Sequence, residues 1–357
     1  MTKQPSSPVE SQDWYPYLTR RLIYLFDQGF LSNVLSIDVE PYFGYLARIN
    51  FRNGSHRIIS GNDLGLNTGT SADLANDKGY SKFVLRLMDI RVAPGAEFLL
   101  PNWADTILKR SRQQRNPNIR TTREADEFIR ENFGYPAYLK PIRGSQGNLV
   151  NMVFETDELE QVLTSFDEAS VRVAVIEAPV HMPDFRIVML DGELISAYER
   201  VPLSVVGDGE KTITELLREL QQRYELEGRD TRINAEDTRI IRTLQRRGMT
   251  LTSVPAKNLK IVLLPISNLS AGGTAVDVSE TIHPKWVELS AFIAMSFNLR
   301  LSGLDLACQD ISAPDSPYYV LEINAAPGLD HYAATGENQR IIVDNFYAKI
   351  FNSPGIS

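Results

Sequence analysis

The sequence predicts an α+β fold with mostly antiparallel sheets, and three observations carry that prediction. Apolar residues recur at helical spacing in some stretches and at alternate positions in others. Turn signals such as Asn53-Gly54 and Asp191-Gly192 join the alternating stretches in pairs, so neighbouring strands read as hairpins. No segment repeats at a fixed period, which excludes a solenoid. With 357 residues there is room for two or three domains.

Residues 14–31 place Leu18, Leu22, Leu25 and Phe26 at helical spacing, and Gly29 closes that helix. Residues 43–60 read as a hairpin in which Leu46, Arg48 and Asn50 alternate with Ala47, Ile49 and Phe51. Asn53-Gly54 is expected to be a two-residue turn, because both residues tolerate positive φ. A helix spans 77–89, and Pro94-Gly95 is a break in regular structure after it. Six basic residues and no acid lie in 109–123, followed by a helix around 122–132 and strands at 137–140 and 149–154. Residues 171–178 are a β run, and 186–200 a hairpin turning at Asp191-Gly192. After the tight turn at 205–209, Thr212 and Glu215 spell a capping box, with Ile213, Leu216, Leu217 and Leu220 on one helical face. The charged stretch 221–247 reads as a solvated helical excursion. Next come a strand at 260–265, a glycine-rich turn at 271–274 and a helix at 285–298. Strands at 302–308 and 318–324 and an amphipathic helix at 338–352 complete the chain.

Composition excludes several classes. Hydrophobic residues are 43% and charged residues 23%, the balance of an ordinary globular protein. The formal net charge of -8 argues against nucleic acid as a general partner, since a phosphate backbone calls for a basic face. A lone cysteine, Cys308, forms no internal disulfide and suits a reducing compartment. The first residues have no apolar core like that of a signal peptide, and no apolar run approaches the roughly 20 residues that span a bilayer. The expectation is a cytoplasmic protein of enzyme size with no membrane partner.

The segment 318–324 carries the sharpest chemical signal. Side chains alternate along a strand, so Tyr319, Leu321 and Ile323 share one face and Val320, Glu322 and Asn324 the other. In 302–308, Asp305 faces away from Leu304 and Leu306. Antiparallel pairing of the two would bring Asp305 close to Glu322 and Asn324. Two carboxylates and an amide oxygen suit magnesium, a hard cation that also takes phosphate oxygens. Alternation alone is equally consistent with three solvent-facing polar residues. Lys140 ends a strand just before Arg143-Gly144-Ser145-Gln146-Gly147, where glycines let backbone N–H groups approach an anion; a plain hairpin turn is the alternative. Val175 to Val180 could be a hinge facing an adenine edge, with Asp184 seven residues after Glu177 facing a ribose, or simply a buried strand and its loop. Arg186 and Arg200 could brace phosphoryl oxygens, or stand as solvated edge arginines.

In order, these segments resemble the ATP-grasp family, in particular the ATP-grasp part of cyanophycin synthetases and of fused bacterial glutathione synthetases. The resemblance runs from about 77 to 351, through DKGYSKFVLRLMDIRVAPG, GYPAYLKPIRGSQGNLV, VIEAPVHMPDFRIVMLDGELISAYERVPLSVVGDGEKTITELL, NLSAGGTAVDVSETIHP, and GLDLA with YYVLEINAAPGLDHY. Each is weak alone; their order and spacing make the set specific. The resemblance implies two α+β subdomains gripping ATP, 77–176 with a mobile lid and phosphate loop and 177–357 with the metal site, plus a small N-terminal domain at 1–76. It implies ATP with Mg2+, or Mn2+ in its place. It makes Lys78 the first nucleotide lysine, with Lys82 the alternative, and Lys140 the second, reaching the α- and β-phosphates. Ser145, Gln146 and Gly147 would cover the phosphates. Glu177 and Val180 would sit at the adenine, Asp184 at the ribose and Arg200 near the γ-phosphate. Asp305, Glu322 and Asn324 would hold the metal. Gly272, Gly273 and Thr274 would lie near the substrate, with Arg186, and Gly328 and His331 near the acceptor. Asn148 stands where a basic residue is expected, and Asp330 is also unusual.

The implied reaction is carboxylate–amine ligation of an amino acid or short peptide through an acylphosphate, with ADP and phosphate released. Catalytic weight would fall on Lys140 and Arg200. A phosphotransferase and a non-catalytic nucleotide-binding module are the competing readings, and a homodimer is an open expectation. Cys308 reads as a core residue and His283, before Pro284, as a helix-entry residue. The basic stretch 109–123 is either a solvated loop or a docking surface for an acidic substrate.

Overall fold

The computed structural model describes residues 14–110, 119–144, 147, 149–227, 229, 231–264 and 266–353. Two compact units divide the chain, Met1–Thr68 with Ala326–Ser357, and Gly69–Ala325.

In the first unit, helix α1 (Tyr17–Asp27) buries Leu18, Leu22 and Leu25. Gly29 ends it in a left-handed conformation (φ +79°), where a side chain would be strained. Strands β1 (Val34–Val39), β2 (Leu46–Phe51) and β3 (His56–Ser60) form an antiparallel sheet in that order. Ala47, Ile49 and Phe51 point inward, as the alternation predicts. The β2–β3 turn differs from expectation. Only Gly54 takes a positive φ, Gly54 N–H donates to the Phe51 carbonyl and Phe51 N–H to that of Ser55, so the loop is one residue longer than an Asn-Gly turn.

The second unit opens with α2 (Gly69–Asn76) and α3 (Lys78–Leu87). Asp77 caps α3 by accepting from the Tyr80 N–H at 3.1 Å. Strand β4 (Gly95–Leu99), α4 (Pro101–Arg110), α5 (Ala125–Asn132), β5 (Ala137–Pro141), β6 (Asn151–Val153), α6 (Thr156–Glu168) and β7 (Val173–Glu177) come next. The four strands form an antiparallel sheet ordered β4-β7-β5-β6. Phe98, Ile129, Leu139, Phe166 and Ile176 are among its fully buried packing residues. Of the basic stretch, residues 111–118 lie outside the described residues.

Strands β8 (Asp184–Leu190) and β9 (Glu193–Val201) form the expected hairpin, with Asp191 and Gly192 both at positive φ. Beyond them lie β10 (Ser204–Val206), α7 (Ile213–Leu226), α8 (Thr238–Gln245) and β11 (Lys260–Val262). The Thr212/Glu215 capping box is present at the start of α7. This stretch is not a solvated excursion. It has its own core, including Leu203, Ile213, Leu217, Ile240, Leu244 and Ile261. Its charges mask a period of buried residues. Strand β12 (Thr274–Asp277), α9 (Pro284–Ser296), β13 (Leu301–Cys308) and β14 (Tyr318–Asn324) complete a second sheet, ordered β12-β9-β8-β13-β14. Trp286, fully buried, sits in its core, and His283 accepts from the Lys285 N–H at 3.1 Å, the helix-entry role expected. Cys308 is buried in the same core.

Helices α10 (Asp330–Ala333) and α11 (Glu337–Asn352) return to the first unit, where α11 packs on α1 and Asp344 pairs with Arg21. Among the described residues, no helix is long and apolar enough to cross a membrane.

Candidate active site

Three lysines meet two carboxylates at one place in the second unit. Lys78 and Lys82 lie one turn apart on α3, so both project from the same face. They are only 5% and 2% exposed. Lys140 reaches the same region from β5. Its ammonium is 2.5 Å from Glu177 Oε2, and Lys82 pairs with the other oxygen of that carboxylate. Lys78 Nζ is 3.0 Å from Glu322 Oε1 and donates to the Gly144 carbonyl at 3.0 Å. Burial pushes Lys140 down to about 8, with the Glu322 carboxylate opposing it. Burial also depresses Lys82 well below the ordinary lysine value, aided by the neighbouring Lys140. Three buried ammoniums sharing few carboxylates form a site suited to an anion.

A row of charges crosses the adjoining sheet. Asp305 on β13 is in register with Arg186 on β8 and with Glu322 on β14. Asp184 pairs in register with Arg200 on the next strand. The Asp305 carboxylate accepts from Arg186 Nε and Nη2, the latter at 3.2 Å, and lies 2.9 Å from Arg200 Nη2. Arg200 also donates to Asp184, at 2.8 and 2.9 Å. Burial alone would raise Asp305, but Arg186 and Arg200 hold it below the ordinary carboxylate range. Asp184 is pushed up to about 6 by burial, with Arg200 opposing. Asn324 sits opposite Gly303, its amide nitrogen 3.5 Å from that carbonyl oxygen.

The strand-parity expectation needs one correction. The register slips between Asp305 and Leu306, so the pairing passes from Glu322 to Val320 across an extra residue, Leu321. The bulge turns Val320 into the core beside Ile323, both essentially buried, so Val320 does not share a face with Glu322. Asp305 and Glu322 remain opposite each other. Among the described residues no three His, Cys, Asp or Glu side chains gather as a metal cage. Asp305, Glu322 and Asn324 are a set of two carboxylates and an amide, which fits a hard cation that keeps water and phosphate ligands.

The loops bring further expected residues near. Gly147 has φ +67°, and its carbonyl accepts from Arg239 of α8 at 3.3 Å. Ser145 and Gln146 lie outside the described residues, as does Asn148. Val180 is half-buried on the connection after β7. Gly272, at φ +100°, and Gly273 precede Thr274, which pairs with Val201 beside Arg200. A Cβ on Gly273 would stand 2.7 Å from the Val201 carbonyl oxygen, so the loop lies directly on β9. Gly328 and His331 belong to the first unit. There a Cβ on Gly328 would stand 2.8 Å from the Asn62 amide nitrogen, and His331 Nε2 is 3.5 Å from Asp330. From sequence Lys82 is only an alternative to Lys78, and Glu177 has no lysine partner. The four-residue spacing of the two lysines was the available signal.

The family of RimK-like ATP-grasp domains matches residues 107–209. Cyanophycin synthetase of Trichormus variabilis is 34% identical over 221 residues, 60% of this chain and 24% of that protein. The bifunctional glutathione biosynthesis protein of Streptococcus mutans is 30% identical over 188 residues, 50% of this chain and 24% of that protein. The chain thus spans about a quarter of the length of these curated relatives. A bifunctional glutathione synthetase from Pasteurella multocida superposes with a TM-score of 0.54 at 18% identity, over 92% of this chain and 43% of that one, a likeness of fold. Residues 107–209 of this chain thus match the RimK-like ATP-grasp domain, and its mixed sheets share the fold of that glutathione synthetase.

Proposed function

We propose that the protein is an ATP-dependent carboxylate–amine ligase that joins amino acids or short peptides through an acylphosphate. One observation carries this reading. Lys78 Nζ touches both the Gly144 carbonyl of the phosphate loop and the Glu322 carboxylate of the metal set, joining the two halves of one phosphate-handling site.

Lys78 and Lys140 hold the phosphates of ATP, and Lys82 supports Lys140 through their shared partner Glu177. Val180 and the backbone beside Glu177 meet the adenine, and Asp184 the ribose. Asp305, Glu322 and Asn324 hold Mg2+ (or Mn2+), which when bound supplies Lewis-acid neutralisation of phosphate charge. A substrate carboxylate oxygen attacks the γ-phosphorus and the bond to ADP breaks. Arg186 and Arg200 offset the charge on the transferring group, a role suited to forked, permanently charged side chains. The amine nitrogen then attacks the acyl carbon, phosphate leaves and the amine proton passes to solvent. The protein positions reactants and stabilises charge rather than supplying a nucleophile.

The test is phosphate release from ATP and Mg2+ with pooled amino acids and short peptides, with products read by mass spectrometry. The expected product has the summed mass of its two substrates less one water. A stable phosphorylated product formed without any amine would instead make the protein a phosphotransferase. Tight ATP binding with no turnover across the pool would leave only a nucleotide-binding module.

A further inference from the structure

The loop 268–274 is held from behind by a buried cation. Arg229, just beyond α7, is only 8% exposed. Its Nη2 donates to the Gly273 carbonyl at 2.7 Å and to the Leu269 carbonyl at 3.4 Å. Its guanidinium stacks 3.7 Å above the Tyr224 ring, and the Tyr224 hydroxyl donates to the Gly272 carbonyl at 2.8 Å. Thr231 Oγ1 adds a third donor to Leu269, at 3.4 Å. The turn itself is closed by Asn268, whose carbonyl accepts from the Ala271 and Gly273 N–H groups at 3.2 and 3.0 Å.

Three carbonyls of one short loop are therefore drawn to the module 203–264, while Thr274 stays exposed on the other side, next in sequence to a glycine packed on β9. No carboxylate among the described residues pairs with Arg229, and its Nε has no hydrogen-bond partner there. Burying a guanidinium costs several kcal/mol unless its partners are well placed, and an apolar residue of similar size would commonly be more stabilising. Stability therefore gives a weak account of this cation, and control of loop geometry a better one.

We propose that Arg229, with Tyr224, is a positioning residue that sets the loop 268–274, and with it Thr274, beside Arg200 for substrate. The proposal rests on the ligase reading above for the identity of what the loop meets, but not for the clamp itself. Lysine cannot replace arginine here, because it lacks the flat face that stacks on Tyr224 while Nη2 reaches the two carbonyls.

Hydrogen exchange in full-length Arg229→Lys and Tyr224→Phe tests the clamp. Tyr224→Phe removes one hydrogen bond and keeps the ring, so it remains informative if Arg229→Lys folds poorly. The expected result is faster exchange confined to 269–276 in both variants, with ATP affinity within about twofold of wild type. Steady-state kinetics with the substrate pair from the product screen should show KM for the loop-facing substrate raised ~10-fold in Arg229→Lys, the scale expected of a small misplacement, with KM for ATP unchanged. Unchanged loop exchange in both variants would overturn the clamp. A loosened loop with unchanged substrate KM would overturn its role in positioning. A wild-type protein that turns over no carboxylate–amine pair would remove the ligase reading alone, and the exchange comparison would still decide the clamp.

Discussion

Lys140 offers the sharpest test of the phosphate site, because its protonation is poised near working pH. Its ammonium sits 2.5 Å from Glu177, and burial pushes its pKa from 10.5 down to about 8. At about 1.4 kcal/mol per unit, the shift is worth roughly 3 kcal/mol in favour of the neutral form. The folded value is the lower one, so between pH 8 and 10.5 the unfolded chain binds more protons. From this group alone, stability rises with pH across that window, and the burden of a buried charge is fully present below pH 8. ATP has the opposite preference, since its phosphates favour the ammonium. ATP affinity should therefore fall as pH rises through about 8, by up to ~10-fold per unit. Lys140→Arg keeps the charge and should flatten the profile. Lys140→Met should weaken ATP binding at pH 7 by ~10- to 150-fold, the loss of a charged hydrogen bond worth about 1.5–3 kcal/mol. Titration calorimetry at pH 7, 8 and 9 and fixed ionic strength measures all three proteins. A wild-type Kd that does not change over that range, or wild-type affinity in Lys140→Met, would refute the assignment of Lys140 to the phosphates.

Other consequences are separable by assay. Asp305→Asn leaves the buried Arg186 without its carboxylate and should cost about 3–5 kcal/mol in urea unfolding; an unchanged midpoint would show that the pair is not held as described. Gly95→Ala should destabilise by about 1–3 kcal/mol and weaken ATP binding, because a Cβ would run into the Ile176 carbonyl and stand 2.7 Å from Glu177 Cγ; tolerance in both assays would count against the fixed placement of Glu177. Cys308 is fully buried and burial raises its thiol pKa, so a thiol reagent should modify it only as fast as the protein unfolds. Rapid modification of the native protein would contradict the core placement.

Local pattern carried the reading where one element decides the outcome by itself. The capping box at Thr212, the Asp191-Gly192 turn and the buried face of α1 depend on neighbours in sequence, and each formed as its spacing implies. Strand alternation brought Asp305 to Glu322, yet misplaced Val320, because a bulge at Leu321 resets parity and leaves no signature in residue type. The stretch 221–247 misled for a different reason. Its charge count hides Tyr224, buried against Arg229 and the Gly272 carbonyl, and Ile240 and Leu244, which share a core with a strand pair that forms only in the fold. The grouping of 326–357 with 1–68 also left no local mark, since it rests on contacts between segments some three hundred residues apart.

The pairing of charges was the part that sequence could not supply, and it bears most directly on chemistry. Five cations (Lys78, Lys82, Lys140, Arg186 and Arg200) face four carboxylates (Glu177, Asp184, Asp305 and Glu322), and every one of them has a protein partner. Such balance is required when charges are buried, because an isolated ion in low dielectric is too costly to keep. If ATP binds here as proposed, its binding is an exchange of partners. Phosphates can take the lysines from Glu177 and Glu322, and a cation can take Asp305 and Glu322 from the arginines and Lys78. Neither exchange is balanced alone: phosphates without a cation would strand carboxylates, and a cation without phosphates would strand lysines and arginines. Nucleotide and metal should therefore bind with positive coupling in this protein. On the proposed assignment the coupling would arise from the pairings Lys78–Glu322 and Arg200–Asp305, each of which would join a phosphate-binding cation to a metal-binding carboxylate.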